Sequence, residues 1–408
     1  MLSPYTVLDL TDDRGELASM VLGDLGADVI KVEPSEGSRS RRMGPFLESA
    51  PEPQRSLLFF AFNRNKRGIA LDLTSAAGRS VLLRLVEKAD FLIESAPPGE
   101  MAERGLGFDA LRRANPRLVY VAITAFGQDG PHADYSASDL TLAAMGGQMG
   151  LHGVPDRPPV RVTVPQVWLH ASTEAAVGAL TAHARMLKTG EAQFVDVSAQ
   201  TAMVWTMLHA MVAHAIQGAD FNRGGSALQL GNITLPLVYE CADGHVVLLP
   251  NGAALAKMVH WLVEDGVVPE EWIEGEAWPT YDVRLVTQQP LRYGIDEVID
   301  ALKRYARRHD KQSLLGRGLA EGVTIAPVTT VEDVARFRHL EERGYWLQAP
   351  LPDGREVRVP GLFARLTETP MAVRRPAPRL GQHNDEVLGG MLGLSSQEIA
   401  AVRGAPIT

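Results

Sequence analysis

One cysteine, Cys241, stands alone in 408 residues, so the chain has no internal disulfide framework and no thiol cluster for zinc or iron–sulfur. A reducing, cytoplasmic setting is the expectation. No apolar run approaches the roughly 18 residues of a membrane-spanning helix. The first stretch, Ser3-Pro-Tyr-Thr-Val-Leu-Asp-Leu10, lacks the basic start and apolar core of a secretory signal and reads as a strand. Basic charge is also short: 40 Lys and Arg face 49 Asp and Glu, for a net charge of -9. That balance excludes a general nucleic-acid partner, and any anionic ligand needs a local basic patch. The first turn reads Thr11-Asp-Asp-Arg-Gly-Glu16, with acids where a Gly-x-Gly-x-x-Gly loop would open its backbone to a pyrophosphate. Neither NAD nor a flavin is expected, a phosphate-loop motif is missing too, and no metal is expected.

What is present has ordinary globular composition, with 22% charged and 45% hydrophobic residues. Tyr5 to Leu10 is β-rich, 16–25 has helical spacing, and Gly26-Ala-Asp-Val-Ile-Lys-Val-Glu33 supplies a turn and a second strand. This βαβ unit predicts a parallel sheet. The alternation continues with strands at 69–73, 91–94 and 118–124 and helices at 76–88 and 108–114. A Gly- and Pro-rich stretch over 126–159 follows, then a long Ala-rich helix from 169 to 188, a strand at 194–198 and a helix over 199–216. The fold class is therefore α/β, a Rossmann-like doubly wound sheet with ligands at the carboxyl ends of its strands.

A Gly- and Asn-rich linker over 218–232 leads to a hairpin turning at Asp243-Gly244 and helices at 255–264, 294–308 and 311–321. A smaller α+β domain over 228–335 is expected, with 1–227 and 336–408 forming the large domain. The last seventy or so residues hold a hairpin at Asp353-Gly354 and a helix over 396–403, too little for a core of their own.

Two features invite chemistry. Arg39-Ser-Arg-Arg42 and Arg64-Asn-Lys-Arg67 are basic clusters expected in loops just beyond strand ends, where one or both can hold phosphate. At the start of the long helix, His170 and Glu174 lie four residues apart and share a face. Spacing alone also fits a core histidine satisfied by Glu174.

Several segments together resemble family III CoA-transferases, the group of formyl-CoA and carnitine CoA-transferases and α-methylacyl-CoA racemase. The carriers are Leu25-Gly-Ala-Asp-Val-Ile-Lys-Val-Glu33, Phe62-Asn-Arg-Asn-Lys-Arg-Gly-Ile-Ala-Leu-Asp-Leu73, Asn115-Pro-Arg-Leu-Val-Tyr-Val121, Phe126-Gly-Gln128, Leu187-Lys-Thr-Gly190, Phe194-Val-Asp-Val-Ser198 and Pro378-Arg-Leu-Gly-Gln-His-Asn-Asp-Glu-Val-Leu388. They span nearly the whole chain. The resemblance implies coenzyme A, as an acyl-CoA substrate, a carboxylic acid co-substrate and an interlocked homodimer of ring-shaped subunits. Arg39, Arg41, Arg42, Asn63, Lys66 and Arg67 would hold the polyanion, with Leu71 and Asp72 beside the adenine. The family's Phe-Arg-Pro-Gly near the nucleotide is here Ala96-Pro-Pro-Gly99.

The chain departs from the family at the reacting centre. Aligned on Gly178, the position of the nucleophilic aspartate is Trp168, and no Asp or Glu lies between Asp156 and Glu174. An indole offers neither charge nor a lone pair for acyl capture. The glycine four residues on is Ser172, a glutamine of the formyl-CoA branch becomes Arg14, and the racemase His-Asp pair becomes Ser138-Asp139. Arg14, Asp139, His170 and Glu174 are thus the candidate catalytic residues. Three functions stay open: CoA transfer between carboxylic acids; a lyase, isomerase, hydratase or thioesterase with His170 as general base; and a non-catalytic CoA-binding subunit. The acyl group is unreadable, though Trp168 and the stretch 145–149 are expected to line its pocket.

Overall fold

The computed structural model describes residues 1–230 and 233–404. Six strands form one parallel sheet, β1 (Thr6–Leu10), β2 (Asp28–Glu33), β3 (Lys66–Ala70), β4 (Phe91–Glu94), β5 (Val119–Thr124) and β6 (Gln193–Ser198), in the order β3-β2-β1-β4-β5-β6. Strand order reverses between β1 and β4, the crevice where a doubly wound sheet binds its ligand. Successive side chains serve opposite faces, as a pleated strand requires. Val7, Phe91, Ile93, Val119 and Val121 pack with α1 (Glu16–Asp24) and a long helix, Val167–Thr189. Leu8, Ile30, Ile69, Leu92 and Ala122 pack with α3 (Ala76–Val86), which follows the short α2 (Leu57–Phe62), and with the carboxyl-terminal residues Leu388, Leu392, Ile399 and Val402. On the long helix, a Cβ built on Gly178 would stand 2.8 Å from Val195 Cγ1, so glycine lets the helix ride close to the sheet.

Three features differ from expectation. The run Arg64-Asn-Lys-Arg67 is not a loop beyond a strand end, because Lys66 and Arg67 are the first residues of β3 and are buried there among acids. The helix over 199–216 is two, Ala199–Trp205 and Leu208–Gln217. At the break Thr206 Oγ1 donates to the Met203 carbonyl, a local competitor of the helical ladder. Within 218–232, Ala227–Leu230 pairs antiparallel with Ile233–Pro236, while residues 231–232 lie outside the described residues.

The chain divides into two compact units, one of 1–150, 161–220 and 342–408, the other of 151–160 and 221–341. The second takes in 151–160, which the sequence reading gave to the large domain. It is α+β: the antiparallel strands Val238–Cys241, Gly244–Leu248 and Ile325–Pro327 pack with helices Gly252–Glu264 and Ile295–Ala306 around Trp261, Trp272, Tyr281 and Tyr305.

In the first unit the carboxyl-terminal segment closes the β3 edge. The His383 N–H donates to the Gly68 carbonyl at 2.9 Å, the Gly68 N–H donates to His383 Nδ1 at 3.0 Å, and the Ala70 N–H donates to Asn384 Oδ1 at 2.9 Å. Among the described residues no helix is long and apolar enough to cross a membrane, and no cluster of three or more His, Cys, Asp or Glu is placed to hold a metal.

Candidate active site

The loop from β1 to α1 rests on a dry, charged network. Asp9, at the carboxyl end of β1, accepts from Thr11 N at 2.9 Å and Thr11 Oγ1 at 2.6 Å. Lys66 Nζ reaches Asp9 Oδ2 at 2.8 Å, the Glu16 carbonyl at 2.8 Å and Asn63 Oδ1 at 2.9 Å. Lys31 Nζ stands 3.5 Å from Asp9 and 3.3 Å from Glu16. All four charged side chains are essentially solvent-free. Burial opposes ionisation of Asp9, yet the charges of Lys31 and Lys66 hold its carboxyl well below the usual range. The network fixes the loop above it, since Asp9 and Lys66 spend their polar atoms on neighbours from four different segments.

That loop carries Asp12 and Arg14. Asp12 N donates to Ser95 Oγ at 3.0 Å, and Ser95 Oγ donates to Asp12 Oδ1 at 3.1 Å, bridging the β1 and β4 loops across the crevice. Arg14 Nε and Nη2 each reach an Asp12 carboxylate oxygen at 2.8 Å. Two cavities open here. The larger, about 370 Å³, is lined by Leu71, Asp72, Glu94, Ser95, Met101 and Arg14 among others. The smaller, about 260 Å³, is lined by Arg14, Pro97, Pro98, Thr124, Tyr135 and Trp168 among others. Arg14 is common to both. Glu94, 3% exposed, ends β4 and accepts from Ala96 N at 2.5 Å and Tyr120 Oη at 3.3 Å. Burial pushes its carboxyl up to about 7, against the opposing pull of those hydrogen bonds and of Arg14.

The residues expected to hold the coenzyme divide sharply. Leu71 and Asp72 line the larger cavity. Arg39 is 60% exposed and 3.5 Å from Asp13, and Arg42 is exposed, donating to the Glu36 and Gly37 carbonyls. Arg41 must be corrected to a scaffold residue. It is 1% exposed, makes 2.6 and 2.7 Å bonds to both Glu33 oxygens, donates to Pro378 O and Gln54 Oε1, and lies 3.6 Å over the Phe59 ring. Asn63 and Lys66 are fully buried in the Asp9 network, so they too cannot meet a phosphate directly. Arg67 is bound by Asp28 and by Glu386. These side chains are held inside the protein, and none of them lines either cavity.

The long helix brings Trp168 and Ser172, one turn apart, against the Arg14 loop. Trp168 is 8% exposed, and Ser172 Oγ donates to the Arg14 carbonyl at 3.3 Å. His170 and Glu174 are half-buried and line neither cavity, and among the described residues no hydrogen bond joins them. Burial raises the Glu174 carboxyl while His170 lowers it. Asp139, the first residue of a helix spanning Asp139–Met145, spends its carboxylate on Val167 N at 2.8 Å. The stretch 145–149 lines neither cavity; the loop 133–137 takes that place. Asp12, Glu94 and Ser95 were missed, although Glu94 ends a strand that the apolar pattern located, where the switch-point rule puts ligands.

A sequence profile described as CoA-transferase family III matches residues 2–384. The chain belongs to CoA-transferase family III. A subunit of succinyl-CoA:(R)-benzylsuccinate CoA-transferase from Thauera aromatica is 34% identical, over 95% of this chain and 93% of its own. A succinate–glutarate CoA-transferase from Agrobacterium fabrum is 30% identical over 92% and 91%. A CAIB/BAIF family protein from Brucella suis superposes with a TM-score of 0.81 at 25% identity, over 95% of this chain and 98% of its own. Family III membership makes the chain an enzyme of CoA transfer between acids, with CoA as substrate.

Proposed function

We propose that this chain is a CoA-binding subunit of a family III CoA-transferase whose covalent carboxylate is supplied by a second, related chain, and that the acids exchanged are dicarboxylic. The observation that carries this is Trp168, buried against the cavity at the position where the resemblance calls for an aspartate. The long helix bears no acid before Glu174, and Glu174 lines neither cavity. Two relatives support both parts: one is named as a subunit, and the two names together carry succinate, benzylsuccinate and glutarate, each a diacid.

In this reading the nucleotide end of CoA takes the 370 Å³ cavity, with Leu71 and Asp72 on its adenine side and Arg104 in its lining, while Arg39 and Arg42 are exposed cations outside that lining. The expected interlocked pairing then joins two different chains. His170 and Glu174 have no reacting role in this reading.

The test is co-expression with family III chains that carry the aspartate, followed by assay of CoA transfer from succinyl-CoA and by borohydride trapping of the acylated carboxylate. The acyl label should sit on the second chain. Transfer by this chain alone, with the label on one of its own acids, would overturn the proposal. The competing acid–base reading expects His170→Gln to cost about 10² to 10⁴ in rate, whereas here the rate should stay within about threefold.

A further inference from the structure

Three of the departures from the family pattern at the reacting centre, Arg14, Trp168 and Ser172, meet in the fold, although Arg14 and Ser172 are 158 residues apart. Arg14 and Trp168 line the same 260 Å³ cavity, and Ser172, one turn after Trp168, holds the Arg14 carbonyl at 3.3 Å. Arg14's Nε and Nη2 face is occupied by Asp12, while among the described residues no hydrogen bond engages Nη1. A guanidinium clamped along one side still presents its end-on edge, the Nη1 pair and the second Nη2 hydrogen, which suits a planar carboxylate. The other walls are mixed, with apolar surface from Pro97, Pro98, Ala125, Ala137 and the indole of Trp168 beside the polar Thr124, Tyr135 and Ser136. The cavity is smaller than one for a drug-sized ligand.

We propose that this cavity is a carboxylate receptor: the end-on edge of Arg14 takes the distal carboxylate of a dicarboxylic acid, free or as its CoA thioester, with Trp168 packed on the carbon chain. This rests on the functional reading above and deepens it. The replacement of aspartate by tryptophan removes a negative charge that would repel the ligand, and Ser172 fixes the backbone from which Arg14 projects. The acids around Arg14 do not defeat the site. Asp12 sets its orientation, Asp134 lies at the exposed rim, and Glu94 is raised toward neutrality by burial.

Calorimetry of the full chain with CoA, succinate, butyrate, succinyl-CoA and acetyl-CoA tests this, on wild type, Arg14→Gln, Arg14→Lys and Trp168→Phe. Wild type should bind CoA and should prefer succinate to butyrate by at least about tenfold, the order of one charge-assisted contact. Arg14→Gln should erase that preference and Arg14→Lys should restore part of it. A preference for succinyl-CoA over acetyl-CoA, without one for the free acid, identifies the thioester as the occupant. Trp168→Phe should weaken both acids alike, which tests the cavity independently of how Arg14→Gln folds. CoA binding with no diacid preference of either kind, or a preference that survives in Arg14→Gln, overturns the receptor and leaves the subunit reading standing. Failure of wild type to bind CoA overturns the functional reading itself.

Discussion

The Asp139 carboxylate accepts the Val167 N–H at 2.8 Å, so a residue 28 positions earlier caps the long helix. The helix's own N-cap residue, Gln166, makes no side-chain cap bond. The first N–H groups of a helix need an acceptor, and a negative charge there also suits the helix dipole.

Asp139→Ala should therefore lower stability by about 1 kcal/mol, read as a lower denaturant midpoint at unchanged slope. Asp139→Asn, which keeps an acceptor and loses the charge, should cost less. A variant as stable as wild type but devoid of turnover would return Asp139 to the catalytic group.

Removing Arg41 should act on the fold before it acts on ligand binding. The side chain neutralises Glu33 inside the protein, where both are almost wholly buried. Arg41→Ala leaves that carboxylate without its cation, at a cost of about 3–5 kcal/mol, whereas Lys66→Ala should cost less, because Lys31 still stands 3.5 Å from Asp9. The exposed Arg42→Ala should stay within about 0.5 kcal/mol of wild type. Chemical denaturation distinguishes these outcomes, and an Arg41→Ala protein of native stability with weakened CoA affinity would refute the scaffold role.

Glu94 sets a pH dependence with a definite sign. Its folded carboxyl, raised by burial from 4.5 to about 7, favours the protonated form. The stabilisation is complete below the unfolded value and is lost as pH rises through about 7, so stability should fall between roughly pH 4.5 and 7. The span corresponds to on the order of 3 kcal/mol. Glu94→Gln should flatten that part of the stability profile. A profile identical to wild type would show that Glu94 is not the group responsible.

The sheet was legible because its signals are local. Phe91–Glu94 and Phe108–Ala114 fall where apolar spacing puts them. The start of β3 was not legible, since Lys66 and Arg67 read as solvated charge until their acids are known. Lys66 and Asp9 are 57 residues apart. The candidate site follows the same rule. Trp168, Ser172 and Arg14 were each recognisable as departures, while their meeting at one cavity depends on tertiary packing that no spacing encodes. His170 and Glu174 had the right spacing for a pair, but i, i+4 proximity fixes only a shared face and says nothing of whether that face meets a cavity.

The closure of β3 by His383 and Asn384 also sets a timetable. Ala70 and Asn384 are separated by 314 residues. At about 5–20 residues made per second, the strand waits roughly 15 to 60 seconds on the ribosome before its edge can be covered. During that interval the nascent chain carries an open β edge, a template for pairing with any neighbouring chain. Synthesis of this protein thus includes a window in which holding factors have a defined strand to shield, and the window shuts only once His383 and Asn384 have been made.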